Sequence, residues 1–136
     1  MSGGGYELVK DASRVIDLFG QFDLRHAELR GVRLAVGPGN VPELEVDLLI
    51  PAGAALPSGT ATSGSDYRLT LRCADVSELS LADFGSENVV SDCAISDAGA
   101  DEDGRPTVRV ALTCAPGCDL DLRCREIVAA EVTPVR

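Results

Sequence analysis

Two periodicities divide this chain. Val15, Ile16, Leu18, Phe19 and Phe22 recur at helical spacing, which predicts a helix over residues 11–22 with one apolar face. Asp11 or Ser13 can cap its start, and Gly20 can end it. From Ala27 onward the period is two. Leu29, Val32, Leu34 and Val36 predict a strand, with Gly31 at a bulge. Gly37-Pro38-Gly39-Asn40 is a turn. Leu44, Val46, Leu48 and Ile50 then alternate with Glu43, Glu45, Asp47 and Leu49, a half-buried strand with an acidic outer face. Tyr67, Leu69, Leu71 and Cys73 alternate with Arg68, Thr70 and Arg72, and here the outer face is basic. If these two strands are neighbours, opposite charges meet across the pair.

The remainder keeps the same period. Val76, Leu79, Leu81 and Phe84 form a short apolar segment that reads as strand or turn. Residues 88–95 read as a strand, and 98–106 as a solvated acidic hairpin loop. Val108, Val110, Leu112 and Cys114 lead through Ala115-Pro116-Gly117 into Cys118, Leu120, Leu122 and Cys124, the clearest hairpin in the chain. Residues 127–132 can add a last strand. Residues 51–65, rich in Pro, Gly, Ala, Ser and Thr, read as a long loop that is an insertion or disordered. The expected organisation is a flexible lead over 1–9 and a single globular domain over 10–136. The expected fold is mainly β, of the α+β kind. It is an antiparallel β-sandwich or rolled barrel of about six to eight strands with one N-terminal helix.

Composition narrows the function. A chain of 136 residues fits one domain and can bury roughly two-thirds of its unfolded surface. With two Tyr, three Phe and no Trp, the core must be built from Leu, Val, Ile, Ala and Cys. The net charge is −10, from 22 acidic and 12 basic side chains. That charge disfavours nucleic acid and anionic membrane surfaces and leaves a basic protein partner open. No apolar run approaches the roughly 20 residues of a membrane helix. Residues 1–5 carry neither a basic nor an apolar leader pattern. The expected location is the cytoplasm, where the five cysteines stay reduced.

Cys114 and Cys118 flank a three-residue turn, a spacing open to two zinc thiolates or to a disulfide. A closed zinc site needs two more ligands. Cys73, Cys93, Cys124 and His26 supply no second close pair. Cys73, Cys114, Cys118 and Cys124 also fall in phase with the buried leucines, as unpaired core cysteines do. No cofactor is therefore expected. No sequence motif pairs His26 with a nucleophile, and there is no Gly-x-Ser-x-Gly elbow or phosphate loop, so no enzyme is expected either. Asp97, Asp101, Glu102 and Asp103 lack the spacing of a calcium loop. His26 and Glu28 share one face if residues 26–29 run as a strand. Such a pair can fix the helix–strand junction or contact a partner.

One further pattern is familiar. A helix ending in a Phe-rich turn leads to Arg25-His26-Ala27-Glu28 and a long strand. Asp75 and the segment from Val76 to Phe84 follow, then Glu87-Asn88-Val89-Val90-Ser91-Asp92. This arrangement, from about Val15 to Val132, resembles the immunity protein 50 family of bacterial polymorphic-toxin systems. The family's junction usually reads His-Asp-Ala; here Arg25 and His26 stand at the first two positions. The resemblance implies a small cytoplasmic protein that binds a toxin made by the same cell and neutralises it by occlusion. It also implies that Asp75 and Asn88 make turns. On that reading the partner-binding residues are Glu43, Glu45 and Asp47 on the acidic strand, Asp101, Glu102 and Asp103 in the acidic loop, and His26 with Glu28. Two other readings stand beside it: a subunit that self-associates as a homodimer through a sheet edge, and a zinc or thiol protein built on Cys114 and Cys118.

Overall fold

The computed structural model describes residues 6–51, 53, 59–60, 65–115 and 117–135. Alternation becomes strand wherever the sequence shows it. In chain order the elements are β1 (Val9–Lys10), α1 (Ser13–Phe19), β2 (Glu28–Val36), β3 (Pro42–Ile50), β4 (Asp66–Ala74) and β5 (Ser77–Ala82). They continue with β6 (Val89–Ala100), β7 (Pro106–Ala115), β8 (Asp119–Cys124) and β9 (Glu126–Val135). The nine strands form one sheet in the order β1-β9-β4-β3-β2-β6-β7-β8-β5. Every pairing is antiparallel except β1 with β9. The fold is therefore mainly β with one helix, as the alternation predicts.

The sheet is rolled, and chain continuity requires it. β8 and β9 lie six positions apart in the order, and so do β4 and β5. Six strand spacings in a flat sheet would be about 29 Å. Yet Arg125 alone joins β8 to β9, and Asp75-Val76 alone joins β4 to β5; one intervening residue reaches only about 7 Å. The chain therefore crosses a bend where both strands pass from one half of the sheet to the other. β7 and β9, distant in the order, touch accordingly. The roll does not close into a barrel, because β1 and β5 remain edges.

Rolling lets one apolar face cover the other. Leu44, Val46, Leu48, Leu69, Leu71 and Cys73 from one half join Val110, Leu112, Leu120 and Leu122 from the other in a single buried cluster. The two halves meet again at a narrow second corner. There β2 and β6 share one residue pair, Glu28 with Val89. The His26 N–H donates to Val90 O, the Val90 N–H to Ala27 O and the Leu29 N–H to Asn88 O, each at 2.8 Å. Asn88 is 2 % exposed. Its Nδ2 donates to Gly85 O at 2.9 Å and Leu29 O at 3.4 Å, and its Oδ1 accepts from the Gly85 N–H at 2.9 Å.

The helix is shorter than its apolar stripe suggests. Asp11 has a left-handed φ of 60°, which excludes it from a helical turn. The cap position falls on Ala12, with no side-chain bond. Gly20 ends the helix as expected, at φ 77°, its N–H bonded to Ile16 O. The helix packs through Val15 and Phe19, with the Phe19 ring edge-on to Tyr67 at 5.4 Å. Arg14 donates to Ala130 O on β9 at 3.0 Å. Of the long loop expected over 51–65, residues 52, 54–58 and 61–64 lie outside the described residues. Thr60 is latched to the helix through its N–H and Oγ1, both on Asp17 O at 3.0 Å. A Cβ at Gly59 would overlap the backbone of Leu18 and Phe19. Of the expected flexible lead, residues 1–5 lie outside the described residues, while Val9 is buried and pairs with Ile127.

Asn88 is the test of the narrow corner. Asn88→Ala leaves the Gly85 N–H and the Leu29 carbonyl without their partner and is expected to cost about 1–3 kcal/mol. Urea unfolding measures it, and a midpoint equal to that of the unsubstituted protein would remove Asn88 from this role.

Candidate functional site

The acidic strand is not a free acidic face. The registers place Asp47 opposite Thr70 and Glu45 opposite Arg72, as the charge pattern of the two strands predicts. Arg68 forks onto Asp47 at 2.7 and 2.8 Å. Arg33 binds Glu45 from β2, and Arg72 adds a contact at 3.5 Å. The Arg33 hydrogen bond, with its charge and that of Arg72, holds the Glu45 carboxyl below its usual range. Glu43 has no ion pair among the described residues; its side chain lies over Gly37.

The acidic loop is likewise engaged. Arg125, in the bend between β8 and β9, reaches Asp101 at 2.7 Å, Asp75 at 2.9 Å and Asp103 at 3.0 Å. Its N–H donates to Ala74 O at 3.0 Å. Asp101 Oδ1 accepts from the N–H groups of Asp103 at 2.9 Å and Arg105 at 3.0 Å. These bonds, the Arg105 N–H foremost, lower the Asp101 pKa. Arg123 binds Glu78 at 3.1 Å and Thr107 Oγ1 at 2.9 Å. Together these groups line a cleft of about 320 Å³. Arg125 thus staples the loop and both strand crossings into one bend. Of the three loop acids singled out from sequence, only Glu102 is exposed without an ion pair among the described residues.

His26 and Glu28 do not form the expected face. His26 sits in a turn at φ 74°, and β2 begins only at Glu28. A left-handed residue cannot continue the pleat, so the alternation assumed for 26–29 fails at its first position. Glu28 pairs with Arg30 at 2.6 Å. Nearby, Arg25 forks onto Asp23, its Nη2 at 2.6 Å and its Nε at 3.0 and 3.1 Å. Those hydrogen bonds hold Asp23 below its usual range.

All five thiols are buried and free. Cys114 and Cys118 do face each other, the Cys114 N–H on Cys118 O at 2.7 Å. Burial pushes the Cys114 pKa to about 11 and the Cys93 pKa to about 12. Cys73 is raised by its hydrogen bond with Cys124 and by burial. Among the described residues no group of three or more His, Cys, Asp or Glu side chains is placed to hold a metal ion. No described helix is long and apolar enough to cross a membrane.

What sequence reasoning did not find is an apolar seam. Leu34 opposes Leu44 across β2 and β3, and Val36 opposes Pro42, so both occupy the inner face. Leu44 is fully buried, yet Leu34 is 56 % and Val36 73 % exposed. On β5, Leu81 opposes buried Leu120 but is 43 % exposed, and Phe84 beyond it is 44 % exposed. Both edges here are open. From Arg30 onward β2 has no described partner strand opposite β3, and β5 is the last strand of the sheet. The two edges flank one opening. β2 runs from the Asn88 corner to Pro42; β5 starts beside Pro42, where the Val76 N–H donates to Pro42 O at 2.9 Å, and leads back to Asn88. Alternation alone marks Leu34, Val36 and Leu81 as core. Only their position on unpaired edges exposes them.

No family model, curated protein or solved structure matches this chain.

Two outcomes follow from the ion pairs and thiols. Asp23, Glu45 and Asp101 have folded-state pKa values below their unfolded ones. Their stabilisation is complete above about pH 5 and is lost as pH falls through the lowered folded values. Urea midpoints should therefore drop on acidification, and less so in a Glu45→Gln/Asp101→Asn variant; identical pH profiles would show that these pairs contribute nothing. A thiol reagent should find almost no reactive cysteine in the native protein and all five after unfolding. Prompt native labelling of Cys114 or Cys118 would contradict their burial.

Proposed function

We propose that this chain is a non-enzymatic protein-binding module with a basic partner. The observation that carries the reading is the seam: Leu34, Val36 and Leu81 stand on inner-face positions of two unpaired strand edges, with Phe84 just beyond one of them, and all four are 43–73 % exposed. Exposed apolar groups gathered on one opening mark interaction surfaces more often than scattered ones do. Charge distribution supports a basic partner. Eight arginines and the single lysine are each bound to a carboxylate. Glu43, Asp83, Glu87, Glu102 and Asp119 have no ion pair among the described residues. The uncompensated charge is thus negative, and it steers a cation-bearing partner. Steering falls to these acids rather than to Glu45, Asp47, Asp101 and Asp103, whose charges are met internally.

Within that reading, the resemblance to the immunity protein 50 family gives a specific role. The chain would act in a bacterial cytoplasm as an inhibitor that occludes a toxin of the same cell. A second reading uses the same edges: β2 of one copy pairs with β2 of another, giving a homodimer.

Co-expression with a toxin encoded beside this chain's gene tests the inhibitor role, and the absence of any such gene would remove it. Growth should be restored, and the two proteins should co-purify in equal amounts. Asp83→Lys with Glu87→Lys should slow association by about tenfold at low salt and little at high salt. An unchanged rate would remove the electrostatic element. Persistent toxicity with no complex would remove the inhibitor role, and a mass that doubles with concentration would favour the homodimer.

A further inference from the structure

We infer that the seam between β2 and β5 receives one extended strand of the partner, with apolar and basic side chains in alternation. This rests on the protein-binding reading and says how the partner is held. The inference combines three features of the same opening. On the side away from β3, the backbone of β2 beyond Arg30 has no described neighbour strand, so the N–H and C=O groups on that side can continue the ladder with an added strand. Its inner-face side chains, Val32, Leu34 and Val36, become steadily more exposed along the strand. An added strand that turns one apolar face inward would cover them and would meet Leu81 and Phe84 from the other side. The third feature is charge. Glu43 is on the outer face of β3 with its side chain over Gly37, just past the end of β2, and Asp83 and Glu87 lie in the connection that follows β5. None has an ion pair among the described residues. The arginines of β2 are occupied, Arg30 by Glu28 and Arg33 by Glu45.

β2 is the docking edge and β5 the facing wall. Glu78 and Asp83 on and beside β5 have left-handed φ of 52° and 57°, and its register breaks between Ser77 and Ser80. Such irregularity spoils an edge for pairing. β2 from Val32 to Val36 keeps a continuous register with β3. A second copy of this chain is the poorer occupant. Each copy carries −10, and the acids that rim one opening would meet those of the other.

The test uses a synthetic peptide of about seven residues in which arginine alternates with valine or leucine, blocked at both ends. Titration calorimetry against the full chain should detect binding, and hydrogen exchange should slow at amides of residues 30–36. Leu34→Glu should weaken binding by about tenfold or more. This substitution adds negative charge, so weakening cannot be electrostatic in origin, and the exposed position spares the fold. Methylating alternate peptide amides, which removes ladder donors, should weaken binding comparably. The glutamate counterpart of the peptide should not bind. Four results would overturn the inference: no binding of the arginine peptide, equal binding by the Leu34→Glu variant, protection confined to another strand, or a homodimer that Leu34→Glu dissolves. The toxin experiment separates the two claims. A toxin bound equally well by Leu34→Glu refutes the strand-docking inference and leaves protein binding intact. Peptide capture without toxin protection refutes the inhibitor role alone.

Discussion

A sheet with one apolar face has to hide it, and the described residues offer almost nothing else to hide it with. Its helix runs only from Ser13 to Phe19. The sheet therefore covers itself by rolling, and the rest of the structure follows from how the roll is fixed. From the bend between β8 and β9, Arg125 draws carboxylates of the other bend and of one loop onto a single guanidinium. At the other corner Asn88 links two backbones that share only one residue pair. Ion pairs at a surface each stabilise by well under about 1 kcal/mol, so the contribution of Arg125 lies in geometry more than in energy. It sets where the strands turn.

The same roll explains why the molecule has a covered side and an open side. Two bent halves joined at diagonal corners must diverge at the other two. On one side α1 lies over β9, and residues 6–8 lie against β6. On the other, nothing among the described residues covers Leu34, Val36, Leu81 and Phe84. The candidate site is a result of the architecture rather than an ornament added to it.

Much of this architecture can be read from alternation. The residues of β3, β4, β7 and β8 repeat with period two, and the apolar residues in phase are the buried ones; only Thr107, out of phase, is buried beside them. The charge complementarity of β3 and β4 favours them as neighbours, and they do pair, with Arg68 on Asp47 and Arg72 on Glu45. Elsewhere local pattern was insufficient. β5 is exposed along its whole length, so no burial period marks it. β1 has two residues and exists only because β9 lies beside it. At His26 a left-handed backbone breaks the pleat, which alternation cannot foresee. The site was least legible of all. Asp101 and Asp103 look like free surface acids until Arg125, more than twenty residues away, is brought to them by the roll. Leu34 and Val36 look like core until the neighbouring strand diverges.

The parallel pairing of β1 with β9 ties residues 9–10 to residues 127–128. β4 likewise takes one of its two neighbours from β9. Contacts so distant along the chain are slow to form. During synthesis the apolar faces of β3 and β4 emerge from the ribosome well before residues 126–135 can complete their half of the sheet. Until that half is in place, nascent chains expose the apolar faces of β3 and β4, the kind of surface through which incompletely folded chains associate.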